Sequence, residues 1–199
     1  MGYPSLVPML KNLPAWAEAA RNIPDKSPSL ELSLALKSYF RDKDVLALRN
    51  SVATTLRRAP FNLRLLIFSG WSYVWMGECQ LALECFAKFR RLGRFHPYSV
   101  VCYGGVATAN LLMGNDDAAI RAARAGLNVT TKYDTLYRVL AAAYALQGNM
   151  DQATQAINNV LHLSPHESLK NWTARSYYGT QRTETRYFRG LELAGMPPE

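Results

Sequence analysis

The stretch Ala145-Leu146-Gln147-Gly148-Asn149-Met150-Asp151-Gln152-Ala153 decides the fold, because the chain has already written it once. Thirty-four residues earlier stands Leu111-Leu112-Met113-Gly114-Asn115-Asp116-Asp117-Ala118-Ala119, and a third copy, Val74-Trp75-Met76-Gly77-Glu78-Cys79-Gln80-Leu81-Ala82, lies 37 residues before Gly114. Each copy places an apolar helical run before a glycine and a small-residue helical run after it. A left-handed cap suits glycine, which has no Cβ to clash there. A period of about 34 residues made of helix, tight turn and helix stacks into a solenoid, since one helix pair cannot bury its own apolar face. The fold class follows: all-α, a right-handed superhelical solenoid of antiparallel helix pairs, with about ten helices.

Working outward, the clearest unit spans 134–165. Ala153, Ala156, Ile157, Val160 and Leu161 form one apolar stripe at helical spacing in its second helix, and Tyr137, Leu140, Ala141 and Tyr144 do so in its first. Asp151 reads as the N-cap of the second helix, and Pro165 ends the unit. The unit 100–131 repeats the scheme, with Gly104-Gly105 in its first helix; without a GxGxxG or P-loop pattern around them, these glycines read as close packing rather than a phosphate loop. Unit 63–97 is followed backwards by a degenerate unit 29–60, in which Lys43 stands where the turn glycine belongs. Residues 1–28 hold five prolines around one short helical candidate, Pro14 to Arg21. Residues 166–199 read as capping helices, Leu169 to Tyr178 and Thr183 to Ala194, the latter with Tyr187, Leu191 and Ala194 on one side before Gly195 and Pro197-Pro198.

Composition bounds the function. Apolar residues make up 49% and charged residues 19% of 199 residues, the balance of a folded chain. No apolar run approaches the ~18 residues of a membrane span, and the N-terminus lacks the basic start and apolar core of a signal peptide. Three cysteines without a CxxC pair fit reduced thiols, so a cytoplasmic location is expected. The net charge of +8 is spread over helix ends, where cations complement the helix dipole, and nucleic-acid binding is disfavoured. His162 and His166 are separated by Pro165, which breaks the helix that would align them on a metal; Cys85 and Cys102 lie among apolar residues. The sequence therefore predicts no catalytic residue, no metal and no cofactor.

The units across 29–165 resemble tetratricopeptide repeats. Beyond that, "YRVLAAAYALQGNMDQA", "LHLSP" and the ending "TRYFRGLELAGMPPE" resemble the C-terminal repeat region of bacterial class III adenylate/guanylate cyclases and of related tetratricopeptide signalling proteins and transcription regulators. The resemblance implies a regulatory or interaction segment; the cyclase catalytic domain itself has no counterpart here. It also implies that first helices line a concave groove, with set positions of each facing the ligand. Those positions are Lys37, Phe40 and Arg41; Arg64, Ile67, Trp71, Val74 and Trp75; Val101, Thr108, Leu111 and Leu112; and Arg138, Ala142 and Leu146. Two tryptophans flanked by arginines suit a hydrophobic peptide with an acidic residue or carboxylate. The same tryptophans also suit an inter-repeat seam. The Lys/Asn carboxylate clamp of chaperone-binding relatives is not matched. The expected function is a protein-protein interaction scaffold holding a peptide or helix, with self-association into a homodimer as the alternative.

Overall fold

The computed structural model describes residues 26–93, 95–170 and 181–199, and every element among them is helical. Four pairs follow in order: α1 (Pro28–Asp42) with α2 (Val45–Arg58), α3 (Leu63–Trp75) with α4 (Cys79–Leu92), α5 (Ser99–Leu112) with α6 (Asp116–Leu127), and α7 (Asp134–Leu146) with α8 (Met150–Leu163). A last helix, α9, spans Gln181–Leu193. The chain is a tetratricopeptide-like α-solenoid. The Pro14–Arg21 candidate, and Leu169–Tyr178 beyond Lys170, lie outside the described residues.

The turn inside the last three pairs is built on one device. At Gly148, φ is 81°; its N–H donates to Ala145 O at 3.0 Å, and the N–H of Asn149 reaches back to Tyr144 O at 2.9 Å. This is the Schellman arrangement, in which a left-handed residue turns two following N–H groups onto orphan carbonyls of the last turn. Gly77 and Gly114 repeat it bond for bond, and so does Gly195 after α9. Lys43 adopts φ 57° in the degenerate pair, doing the work of the missing glycine with a Cβ in place. Asp151 is not the N-cap: Asn149 occupies that position and Asp151 falls in the first helical turn, where its charge still favours the dipole.

The core runs continuously between pairs. The first helices α3, α5 and α7 are buried over most of their surface, whereas α1 and the second helices bury a single stripe, such as Ala153, Ala156, Ile157 and Val160 in α8. Phe86 of α4 sits against both Gly70 of α3 and Gly105 of α5; a Cβ on Gly105 would run into its ring. Gly104 likewise gives room to Tyr133, so the paired glycines serve helix packing.

Candidate functional site

Each first helix packs on the next, α3 on α5 and α5 on α7, so these helices form the inner, concave wall. Helix α9 does not simply extend the stack. It packs chiefly on α7 and also reaches α5, lying across the concave wall of the last two pairs. The reason is legible in its residues. Tyr187, Leu191 and Ala194 are spaced along one face and buried, and Gly190 removes the side chain at the point of closest approach. A Cβ there would stand 2.7 Å from Ala142 Cβ and 2.8 Å from Ala142 O. The helices touch backbone to backbone.

Two polar anchors fix this arrangement. Arg186 donates from Nε to Leu111 O at 3.0 Å and from Nη2 to both Asp116 oxygens at 2.7 and 2.6 Å, so it binds the Gly114 turn from the end of α5 to the start of α6. Beneath Tyr187 lies Arg138, 2% exposed. Its guanidinium meets Asp134 at 2.7 and 3.2 Å, Thr135 Oγ1 at 2.9 Å and Glu167 at 3.7 Å. Burial pushes the Asp134 carboxyl up, but Arg138 and the hydrogen bonds from Arg138 and Ser164 outweigh it and leave the group below its ordinary value. For the Tyr187 phenol burial wins, raising it, with Arg138 pulling partly back. After α9 the chain end returns to Leu169 and Lys170, whose N–H groups donate to Pro197 O and Pro198 O at 2.8 and 3.1 Å.

The residues expected to face a ligand are therefore largely enclosed. Trp71 donates from Nε1 to Val101 O at 3.2 Å, across the seam between α3 and α5. Trp75 packs edge-on against Phe40 of α1, and its carbonyl accepts from Tyr39 Oη at 2.9 Å. The tryptophans thus occupy inter-repeat seams. Ile67, Val74, Val101, Leu111 and Leu112 are buried with them. Thr108 turns its hydroxyl onto Gly104 O at 2.8 Å, and Ala142 meets Gly190. Arg138, expected to face the groove, is occupied by this chain's own carboxylates. Leu146, Lys37 and Phe40 are half-buried; Arg41 and Arg64 are exposed, Arg41 against Asp42 and Arg64 5.8 Å from the Phe68 ring centre. Groove positions inferred from the repeat pattern leave out Arg186, Tyr187 and Gly190. A mid-helix glycine one residue before Leu191 was the available signal, since glycine costs helix stability unless something approaches closely.

Elsewhere, a cleft of about 900 Å³ opens beside α4 and α5, with Lys88, Arg90, Arg91, Ser99 and Tyr103 on its walls. Cys79, Cys85 and Cys102 are buried, and burial raises their thiols to about 11, 12 and 12. No group of three metal-ligating side chains occurs among the described residues, and none of their helices is long and apolar enough to cross a membrane.

The geometry is that of a tetratricopeptide-like helical solenoid, with one helix of its own on the inner wall. Solved structures of MamA, a tetratricopeptide-like protein, share this fold. The structure described as MamA MSR-1 C2 aligns with a TM-score of 0.58 at 17% identity, covering 80% of this chain and 90% of that one. A second crystal structure of MamA aligns at 0.57 and 22% identity, covering 83% and 91%, and a point mutant of MamA at 0.56 and 16%, covering 80% and 90%. No protein-family model matches the chain, and no curated protein matches it either.

Proposed function

We propose that the chain is a non-catalytic interaction scaffold whose concave wall takes up an amphipathic helix. The observation that carries this is α9: the inner wall of α5 and α7 already holds a helix through an apolar stripe, a glycine contact and an arginine clamp. A partner helix of the same chemistry, with an apolar face, a small residue at the crossing point and a cation for Asp116, competes with α9 for that wall. Peptide recognition along the remaining groove positions, from Lys37 to Leu146, belongs to the same reading, with the exposed Arg41 and Arg64 attracting acidic residues of the partner. The resemblance of the C-terminal half supports a setting in a cytoplasmic bacterial signalling protein of the cyclase or transcription-regulator kind.

The test uses a fluorescein-labelled peptide of residues 181–199 added to the full chain and to its Gly190→Leu variant. Saturable binding, tighter to the variant because its own helix is loosened, supports the proposal. Absence of binding to a folded variant refutes it. Self-association is the second reading, because α9 exchanged between two copies would make the same contacts. Sedimentation of the full chain over a hundredfold concentration range decides it, a constant monomer mass being the rejecting result.

A further inference from the structure

The loops that join one pair to the next carry exposed apolar side chains at the repeat interval. Phe61 follows α2, Phe95 follows α4 and Val129 follows α6, at 34-residue spacing, and they are 70%, 93% and 52% exposed. Equivalent loops of a solenoid line up along one edge, so the three side chains form a row, with Leu92 half out of the protein beside them.

The same edge is basic. Arg57 and Arg58 end α2, Arg90 and Arg91 end α4, and Arg124 ends α6, with Lys132 in the loop that follows. Of the acids at first-helix starts on this edge, Glu31 is paired with Arg58 at 2.9 Å and Asp134 with buried Arg138, so the cations keep the excess. The opposite edge, where each pair makes its internal turn, holds Asp44, Glu78, Asp116, Asp117 and Asp151 at the starts of second helices. Helix dipoles account for this division of charge. They do not account for phenylalanines exposed to water on the basic edge. Lys88 lies 4.7 Å from the Phe61 ring centre, so cation and aromatic share one surface.

We propose that this edge is a docking surface for an anionic lipid bilayer. A flat surface meets a row of protrusions at once. The apolar tips enter the interfacial region while the arginines stay at the level of acidic headgroups, as their long stems allow. Charge complementarity selects the occupant, and the mixture of Phe, Leu and Val favours lipid over bases, since the aliphatic members have no ring to stack. The site is separate from the concave wall and does not depend on what that wall binds.

The experiment is co-sedimentation of the full chain with vesicles of phosphatidylcholine alone and of phosphatidylcholine with about one-third phosphatidylglycerol. Binding is expected only to the second kind and falls as salt rises. Arg90→Gln with Arg91→Gln should lower partitioning about twenty-five-fold, from roughly fivefold for each cation near an anionic surface. Phe61→Ser with Phe95→Ser should lower it about tenfold or more at unchanged charge, from the apolar area withdrawn. Both pairs are exposed, so the variants fold. Failure to bind at low salt overturns the proposal, as does binding indifferent to the phenylalanines. Tighter binding to a single-stranded oligonucleotide than to vesicles, lost in the same variants, overturns it in favour of nucleic acid.

Discussion

Gly190→Leu sets two physical effects against each other with opposite signs. In a free helix the change stabilises, because glycine is about 0.8–1.0 kcal/mol worse than the best helix formers. In α9 the new Cβ would lie within 2.9 Å of Ala142 Cα, 2.8 Å of its carbonyl oxygen and 2.7 Å of its Cβ, and two of these atoms are backbone that cannot rotate aside. Extra methylenes forced into a packed contact cost about 1–3 kcal/mol, and leucine adds three carbons beyond the first. If α9 lifts instead, the buried Tyr187 and Leu191 are returned to water, at about 1.5–3 kcal/mol for a leucine-sized side chain. Net of about 1 kcal/mol of helix propensity, we expect a loss of about 0–2 kcal/mol if the contact deforms and about 2–5 kcal/mol if both side chains are exposed, with Gly190→Ala at the lower end. Urea titration gives the total. Hydrogen exchange locates it: protection should fall across 186–194 and across Ala142, and survive in α1 and α2. A stabilised variant, or one whose exchange is unchanged in α9, would refute the backbone-to-backbone contact.

Further measurements probe other parts of the fold. Lys43→Gly should raise stability by about 0.5–1 kcal/mol, or about 1–4 °C in Tm, by relieving a left-handed residue that carries a Cβ; a fall in Tm would show that its contacts outweigh the strain. Gly105→Ala, which drives a methyl into the Phe86 ring, should cost about 1–3 kcal/mol, and Phe86→Leu in the same chain should recover part of it. Asp134 is held below its ordinary carboxylate value, so the stability it contributes is full above its unfolded value near 3.8 and is lost as pH falls through the folded one. Acid titration of Asp134→Asn should therefore show a flatter decline below about pH 4 than the parent. A thiol reagent at about pH 8 should leave all three cysteines untouched until denaturant is added. Rapid labelling in the native state would contradict their burial.

What the sequence revealed divides along physical lines. Gly77, Gly114 and Gly148 were legible because a turn that requires positive φ leaves a residue-type mark at a fixed interval. The stripe of α8 was legible because its burial is one-sided. The faces of α3 and α5 were not, since burial on nearly every side erases periodicity and Trp71 reads alike in a seam and in a groove. The place of α9 was hidden for a different reason. Its apolar face and its glycine stop match those of the other helices, and nothing local states which surface that face meets. Long-range contacts fix that choice, among them Arg186 with Asp116, 70 residues apart, and Gly190 with Ala142, and separated partners of that kind leave no pattern in a single chain.

The clamp by Arg186 and the contact at Gly190 bear on how the protein comes apart. A simple solenoid is a one-dimensional stack in which each repeat is coupled only to its neighbours, so that ends can fray repeat by repeat. Helix α9 breaks that rule by touching α5, the α5–α6 turn and α7 together. It couples the third and fourth pairs a second time, outside their shared interface. The C-terminal half should then open in one cooperative event, and loss of either anchor should convert it to stepwise melting.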